Sequence, residues 1–171
     1  MRTFQVLALS ASLALLSACG GGDDEGIIVD EDRPSPSGKA ASVVVTAAGD
    51  ATLNGTYSTT DLRLNNVTKV NPIGSDPETC RFKFEGLVQA GAGRSMIGDV
   101  RYLPDSPQVR TTFISINGVE FVLEGTAGAT VDRANDRVNY AGAVLTSTQG
   151  TGRSITFTGS VPMLGNRPGG C

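Results

Sequence analysis

The chain has 171 residues, with 17 acidic and 14 basic side chains and neither histidine nor tryptophan. That length suits one domain and a tether. The lack of histidine removes Ser-His-Asp and Cys-His catalysis and imidazole metal ligation, and residues 41–171, with eleven acids against eleven bases, lack the basic cluster that nucleic acid requires.

Met1-Arg2-Thr3 is a short positive segment, and Val6 to Leu16 is an apolar run too short to span a bilayer. It leads into Leu16-Ser17-Ala18-Cys19-Gly20. Small side chains at Ser17 and Ala18 fit narrow peptidase subsites, and the Cys19 thiol is the one group there able to carry a lipid as a thioether. This stretch resembles the lipobox of bacterial lipoproteins. The resemblance covers residues 1–20 and implies a signal peptide over residues 1–18 and cleavage between Ala18 and Cys19. Cys19 then becomes the acylated N-terminus, carrying chains such as palmitate that hold the protein to a membrane. Gly20, in place of Asp, resembles outer-membrane sorting in enteric bacteria, which implies a protein facing the periplasm. Acids just past the cysteine resemble the surface-export signals of other bacteria, so the cell surface is the alternative address.

Residues 19–41 read as the tether. Six acids against Arg33 and Lys39, with Gly20-Gly21-Gly22 and Pro34-Ser35-Pro36, favour an extended, unpacked linker. Ile27-Ile28-Val29 is an apolar island within it, read as linker with a docking strand as the alternative.

From Ser42 onward, short β-rich runs alternate with turn residues. Ser42 to Thr46 reads as a strand, Leu62 to Val70 as a weaker one. Cys80 to Val88 puts Cys80, Phe82 and Phe84 on one face and Arg81, Lys83 and Glu85 on the other. A further strand is expected over Met96 to Leu103. Val109 to Ile116 runs into Asn117-Gly118, whose tolerance of positive φ suits a type I′ hairpin. That turn pairs Ile116 with Val119, Ile114 with Phe121 and Thr112 with Leu123. Val119 to Asp132 reads as one long strand bent near Gly125 to Gly128. A loop at Arg133 to Asp136 returns the chain, placing Val131 on Val138, Ala129 on Tyr140 and Gly125 on Val144. A turn at Gln149-Gly150 places Val144 on Ile155, Gly142 on Phe157, Tyr140 on Gly159 and Val138 on Val161. One conflict remains: a plain turn after Tyr102 sends Phe113 inward, whereas the Asn117-Gly118 hairpin wants Ile114 and Ile116 there. Either a bulge intervenes or that strand is covered on both faces.

The expected fold for residues 42–171 is all-β, an antiparallel up-and-down meander of about eight strands closed as a small barrel or packed as a sandwich. Asp132 to Asp136 clusters oxygens but lacks the ligand series of a calcium loop, and it reads as a hairpin loop. No other residues suggest a cofactor or metal, and no catalytic constellation stands out. Once Cys19 is lipidated, Cys80 and Cys171 are left in an oxidising compartment, so a disulfide between them is expected. The functional expectation is a non-enzymatic envelope lipoprotein whose β domain binds another envelope component or plays a structural role. The alternative is a small barrel carrying an apolar ligand in space left by inward-facing Gly125, Ala127, Gly142 and Gly159.

Overall fold

The computed structural model describes residues 32–71, 74–150 and 153–171. Cys19 and the Ala18-Cys19 cleavage site lie outside the described residues. Among the described residues ten strands form one antiparallel sheet: β1 (Ser35–Thr46), β2 (Gly55–Leu64), β3 (Thr68–Val70), β4 (Thr79–Gln89), β5 (Ser95–Tyr102), β6 (Val109–Ile116), β7 (Val119–Glu124), β8 (Ala129–Asp132), β9 (Arg137–Ser147) and β10 (Ser154–Pro162). The pairings run β1-β2-β4-β5-β6-β7-β9-β10 and close through β10 onto β1, giving an eight-stranded barrel. β3 and β8 are short flaps on β4 and β9. Of the two expected closures, the barrel forms.

The interior is filled. Tyr57, Phe82, Phe84, Tyr102, Phe121 and Phe157 are fully buried, with Leu62, Leu64, Leu87, Met96, Ile114 and Ile116 between them. An eight-stranded barrel is just wide enough for side chains to occupy its axis. Tyr140 packs edge-on to Phe157, with ring centroids 4.9 Å apart, and shares a buried 3.0 Å hydrogen bond with the Thr112 hydroxyl. The space over Gly98 is taken by the Phe84 ring, which a methyl group there would overlap. A methyl at Gly159 would stand 2.8 Å from Val43 Cα. These glycines therefore admit close packing of neighbours.

The Asn117-Gly118 hairpin has the expected register, Ile116 on Val119, Ile114 on Phe121 and Thr112 on Leu123, with both turn residues at positive φ. The conflict after Tyr102 is resolved by a bulge: Arg101 pairs with Thr111 but Tyr102 with Val109. The extra residue, Arg110, leaves Val109 and Thr112 inward and Phe113 outward. A second bulge corrects the last hairpin. Tyr140 lies on Gly159 and Val138 on Val161 as expected, but beyond them Phe157 meets Ala143 and Ile155 meets Leu145. Gly142 takes φ of 69° and adds one residue to β9, so every later side chain changes face. Val144, expected inside, is 55% exposed.

Three other expectations shift. The long strand over residues 119–132 is two strands, because Gly125 and Gly128 both adopt positive φ and break the ladder; Ala129 on Tyr140 and Val131 on Val138 survive, whereas Gly125 makes no pair with Val144. β2 begins at Gly55, seven residues before the weak strand expected at Leu62, because a register irregularity between Ser58 and Arg63 hides its alternation. β1 begins at Ser35, within the stretch read as tether. Its first residues pair with β2 alone, so Pro36 lies on an edge of the sheet, where proline is tolerated.

The C-terminal tail plugs one end of the barrel. Cys80 and Cys171 are bonded, with Cα atoms 5.6 Å apart, within the usual disulfide range. The sequence suggested nothing else to hold the tail. The structure shows more: the Tyr102 hydroxyl donates to the Cys171 carbonyl at 2.9 Å, Arg133 to the Gly170 carbonyl at 3.1 Å, and Arg167 pairs with Asp136 at 2.6 Å.

Candidate functional site

With the axis filled, ligand chemistry falls to the outer wall, and the register sorts that wall into two halves. The outward positions of β9, β10, β1 and β2 are rich in hydroxyls, among them Thr146, Thr156, Thr158, Ser42, Thr56 and Ser58, and their charges, Lys39, Asp61, Arg63 and Arg137, sit toward the strand ends. More charges gather on β4 to β7. Three rows cross those strands: Arg81, Arg101, Thr111, Glu124; Lys83, Asp99, Phe113, Val122; and Glu85, Ile97, Ser115, Glu120. The sequence signal for this half was the alternation of Arg81, Lys83 and Glu85 with the inward Cys80, Phe82 and Phe84. Its companion rows needed the bulge positions, which single-strand alternation does not disclose.

A groove of about 310 Å³ runs over the second and third rows, lined by Glu85, Ile97, Asp99, Phe113, Ser115 and Glu120, with Lys83 at its edge. Ser115 is small between Ile97 and Glu120, so the surface dips there. Ile97 is 46% exposed and Phe113 is half-buried, giving an apolar floor. Phe113 faces Val122 across the hairpin, as the sequence indicated.

The rim is electrostatically organised. Arg81 grips Asp99 with its fork, Nε to the two carboxylate oxygens at 3.0 and 2.9 Å and Nη2 at 2.5 Å. This charge-assisted pair raises the Arg81 guanidinium above its ordinary value. The Arg101 guanidinium carbon lies 5.9 Å from the Phe113 ring centroid, within cation–π range. Its Nε is 3.7 Å from Asp99 and is a buried donor with no hydrogen-bond acceptor among the described residues. Asp99 is therefore engaged by Arg81 through both carboxylate oxygens.

Two smaller depressions lie elsewhere on the surface, one by Asp76, Arg101 and Arg110 and one by Ala41, Arg137 and Pro162. Gly125, Ala127 and Gly142, expected to open a ligand cavity, do not face the axis: Ala127 and Gly142 are exposed and Gly125 lies in the β7–β8 turn. The Asp132 to Asp136 loop is committed to structure. Asp132 accepts from the Asn135 amide and side chain at 3.2 and 2.7 Å, which lowers its carboxyl below the ordinary value. Among the described residues no helix is long and apolar enough to cross a membrane.

Fold and site together define a closed β-barrel with a solid core, one hydroxyl-rich wall and one more highly charged wall bearing a groove. No protein family, curated protein or solved structure matches the chain.

Proposed function

We propose that the protein is a non-enzymatic, lipid-anchored envelope protein that binds another envelope component through the groove on its charged wall. Cys19 would hold it to the outer membrane, facing the periplasm. The observation that carries the binding reading is the contrast between a core filled by aromatic rings and a surface groove with an apolar floor and a charged rim. Apolar floor with polar rim is the usual anatomy of a protein-binding patch. The same contrast weakens the carrier alternative, which needs a dry interior volume. The engagement of Asp99 by Arg81, and a sequence without histidine, support binding over catalysis.

Site-specific photo-crosslinking in native envelopes tests this. A photoreactive side chain at Ser115 should yield a discrete adduct of higher mass, and one at Thr156 on the hydroxyl-rich wall should not. Adducts from Thr156 alone, or from neither position, would overturn the assignment of the groove.

A further inference from the structure

The described chain begins at Asp32, and its first residues travel across the barrel wall toward the groove. The carbonyl of buried Pro34 accepts from Arg63 of β2 at 3.3 and 3.1 Å. Two residues earlier, Asp32 pairs with Lys83 of β4 and accepts from Asn65 at 3.3 Å. Followed toward the N-terminus, the chain thus passes from β1 over β2 to β4, about one strand per two residues. Strands lie about 4.8 Å apart and an extended residue covers about 3.3 Å, so this is the pace of a straight crossing. The next two strands in the sheet are β5 and β6, which carry the groove floor. Continued at the same pace, residues 31 to 27 reach them.

The sequence of that segment matches what lies in its path. Asp30 and Glu31 would come over β5, where the Arg101 side chain is 39% exposed and Asp99 is already neutralised by Arg81. Ile27-Ile28-Val29 would come over Ile97 and Phe113, the apolar floor. Glu85 and Glu120 at the far edge would repel such acids toward the arginine side. We infer that the groove is occupied in the free protein by its own tether, with Ile27, Ile28 and Val29 on the Ile97–Phe113 floor and the adjoining acids on Arg101. The tether is then an internal competitor, and an envelope partner gains the groove by displacing it. This rests on the groove being a binding surface and needs no partner to be tested.

The test uses the full chain from residue 19 carrying Cys19→Ser, which keeps it free of lipid. Nuclear Overhauser contacts are expected between the methyl groups of Ile27, Ile28 or Val29 and the Phe113 ring. A glutamate-specific protease must grip residues on both sides of Glu25, so docking should slow cleavage there roughly tenfold, in proportion to the undocked population. The outward-facing changes Ile97→Asp and Phe113→Ser should release that protection, with the amide spectrum of the barrel as the check on folding. Ile27→Ser with Ile28→Ser, which leaves the barrel untouched, should release it equally. Equal cleavage rates in all three forms together with no methyl–ring contact would overturn the inference. So would contacts seen only between differently labelled molecules, which would make the occupant a second copy. Loss of partner crosslinking with these contacts intact would instead count against the envelope-partner reading alone.

Discussion

Breaking the Cys80–Cys171 bond should cost the barrel a large share of its stability, and the structure indicates how much. The bonded residues are 91 positions apart, so the bond closes most of the domain into one loop. Loop-closure entropy in the unfolded chain gives roughly 4 to 5 kcal/mol for that length, as an upper figure. Whether the whole amount is felt depends on the reduced native state. A tail held by the disulfide alone would swing free on reduction, and its regained freedom would offset part of the loss. Here Tyr102, Arg133 and Arg167 hold residues 163–171 in place without it. The reduced native state stays ordered, and the unfolded-state term is expressed nearly in full. The assay is urea unfolding followed by circular dichroism, comparing the oxidised protein with a Cys80→Ala, Cys171→Ala form. With a slope of about 2 kcal/mol per molar for a domain of this size, the midpoint should fall by about 2 M. Adding Arg167→Ala should then free the tail, seen as rapid amide exchange over residues 163–171. A midpoint shift below about 0.5 M, or a tail already exchanging freely in the oxidised protein, would refute the reasoning.

Tyr140→Ala removes a buried ring that packs on Phe157 and bonds Thr112; it should cost about 3 to 5 kcal/mol by chemical denaturation, and a loss below about 1 kcal/mol would contradict the packed-core description. Gly98→Ala drives a methyl into the Phe84 ring and should cost about 1 to 3 kcal/mol, read as a lowered melting temperature, whereas Gly118→Ala meets no neighbour and acts only through its positive φ. Burial pushes the Tyr102 hydroxyl up to about 12 and raises that of Tyr140 as well. Both must stay protonated in the fold, so their contribution is intact below pH 10 and is lost as pH rises through 12; unfolding midpoints measured from pH 9 to 12 should fall in that window, and a flat profile would contradict the burial of both phenols.

Much of the fold was legible in the sequence because turns and hydrophobic faces agree locally. Asn117-Gly118 needs positive φ at two positions, and the pairings it dictates, down to Thr112 on Leu123, are those of the structure. Tyr140 on Gly159 followed from the same logic. Bulges set the limit. Gly142 takes positive φ inside β9, and one added residue carries Val144 from core to solvent. A glycine within a strand pattern marks either a bulge or a close approach, and Gly142 and Gly159 read alike until their neighbours are known. Arg110 is a second such residue, and the conflict over Phe113 was its signature. The groove was less legible than the barrel. It depends on β4, β5 and β6 lying abreast in one register, and the bulges flanking that register leave no mark in strand-by-strand alternation. The tail's extra anchors were hidden for another reason: Arg133, Asp136 and Arg167 look like ordinary loop charges until the fold brings the loop to the tail.

The proposed envelope location rests on Cys19, and the mass of the N-terminal peptide tests it most directly. Trypsin spares the Arg33–Pro34 bond, so protein taken from its native membranes should release a peptide running from Cys19 to Lys39. This peptide should begin at Cys19 and be heavier by a thioether-linked diacylglycerol and an amide-linked fatty acid. Cys19→Ser should move the protein out of the membrane fraction. An unmodified Cys19, a mature chain that begins elsewhere, or a Cys19→Ser form that still sediments with membranes as an acylated species would contradict it.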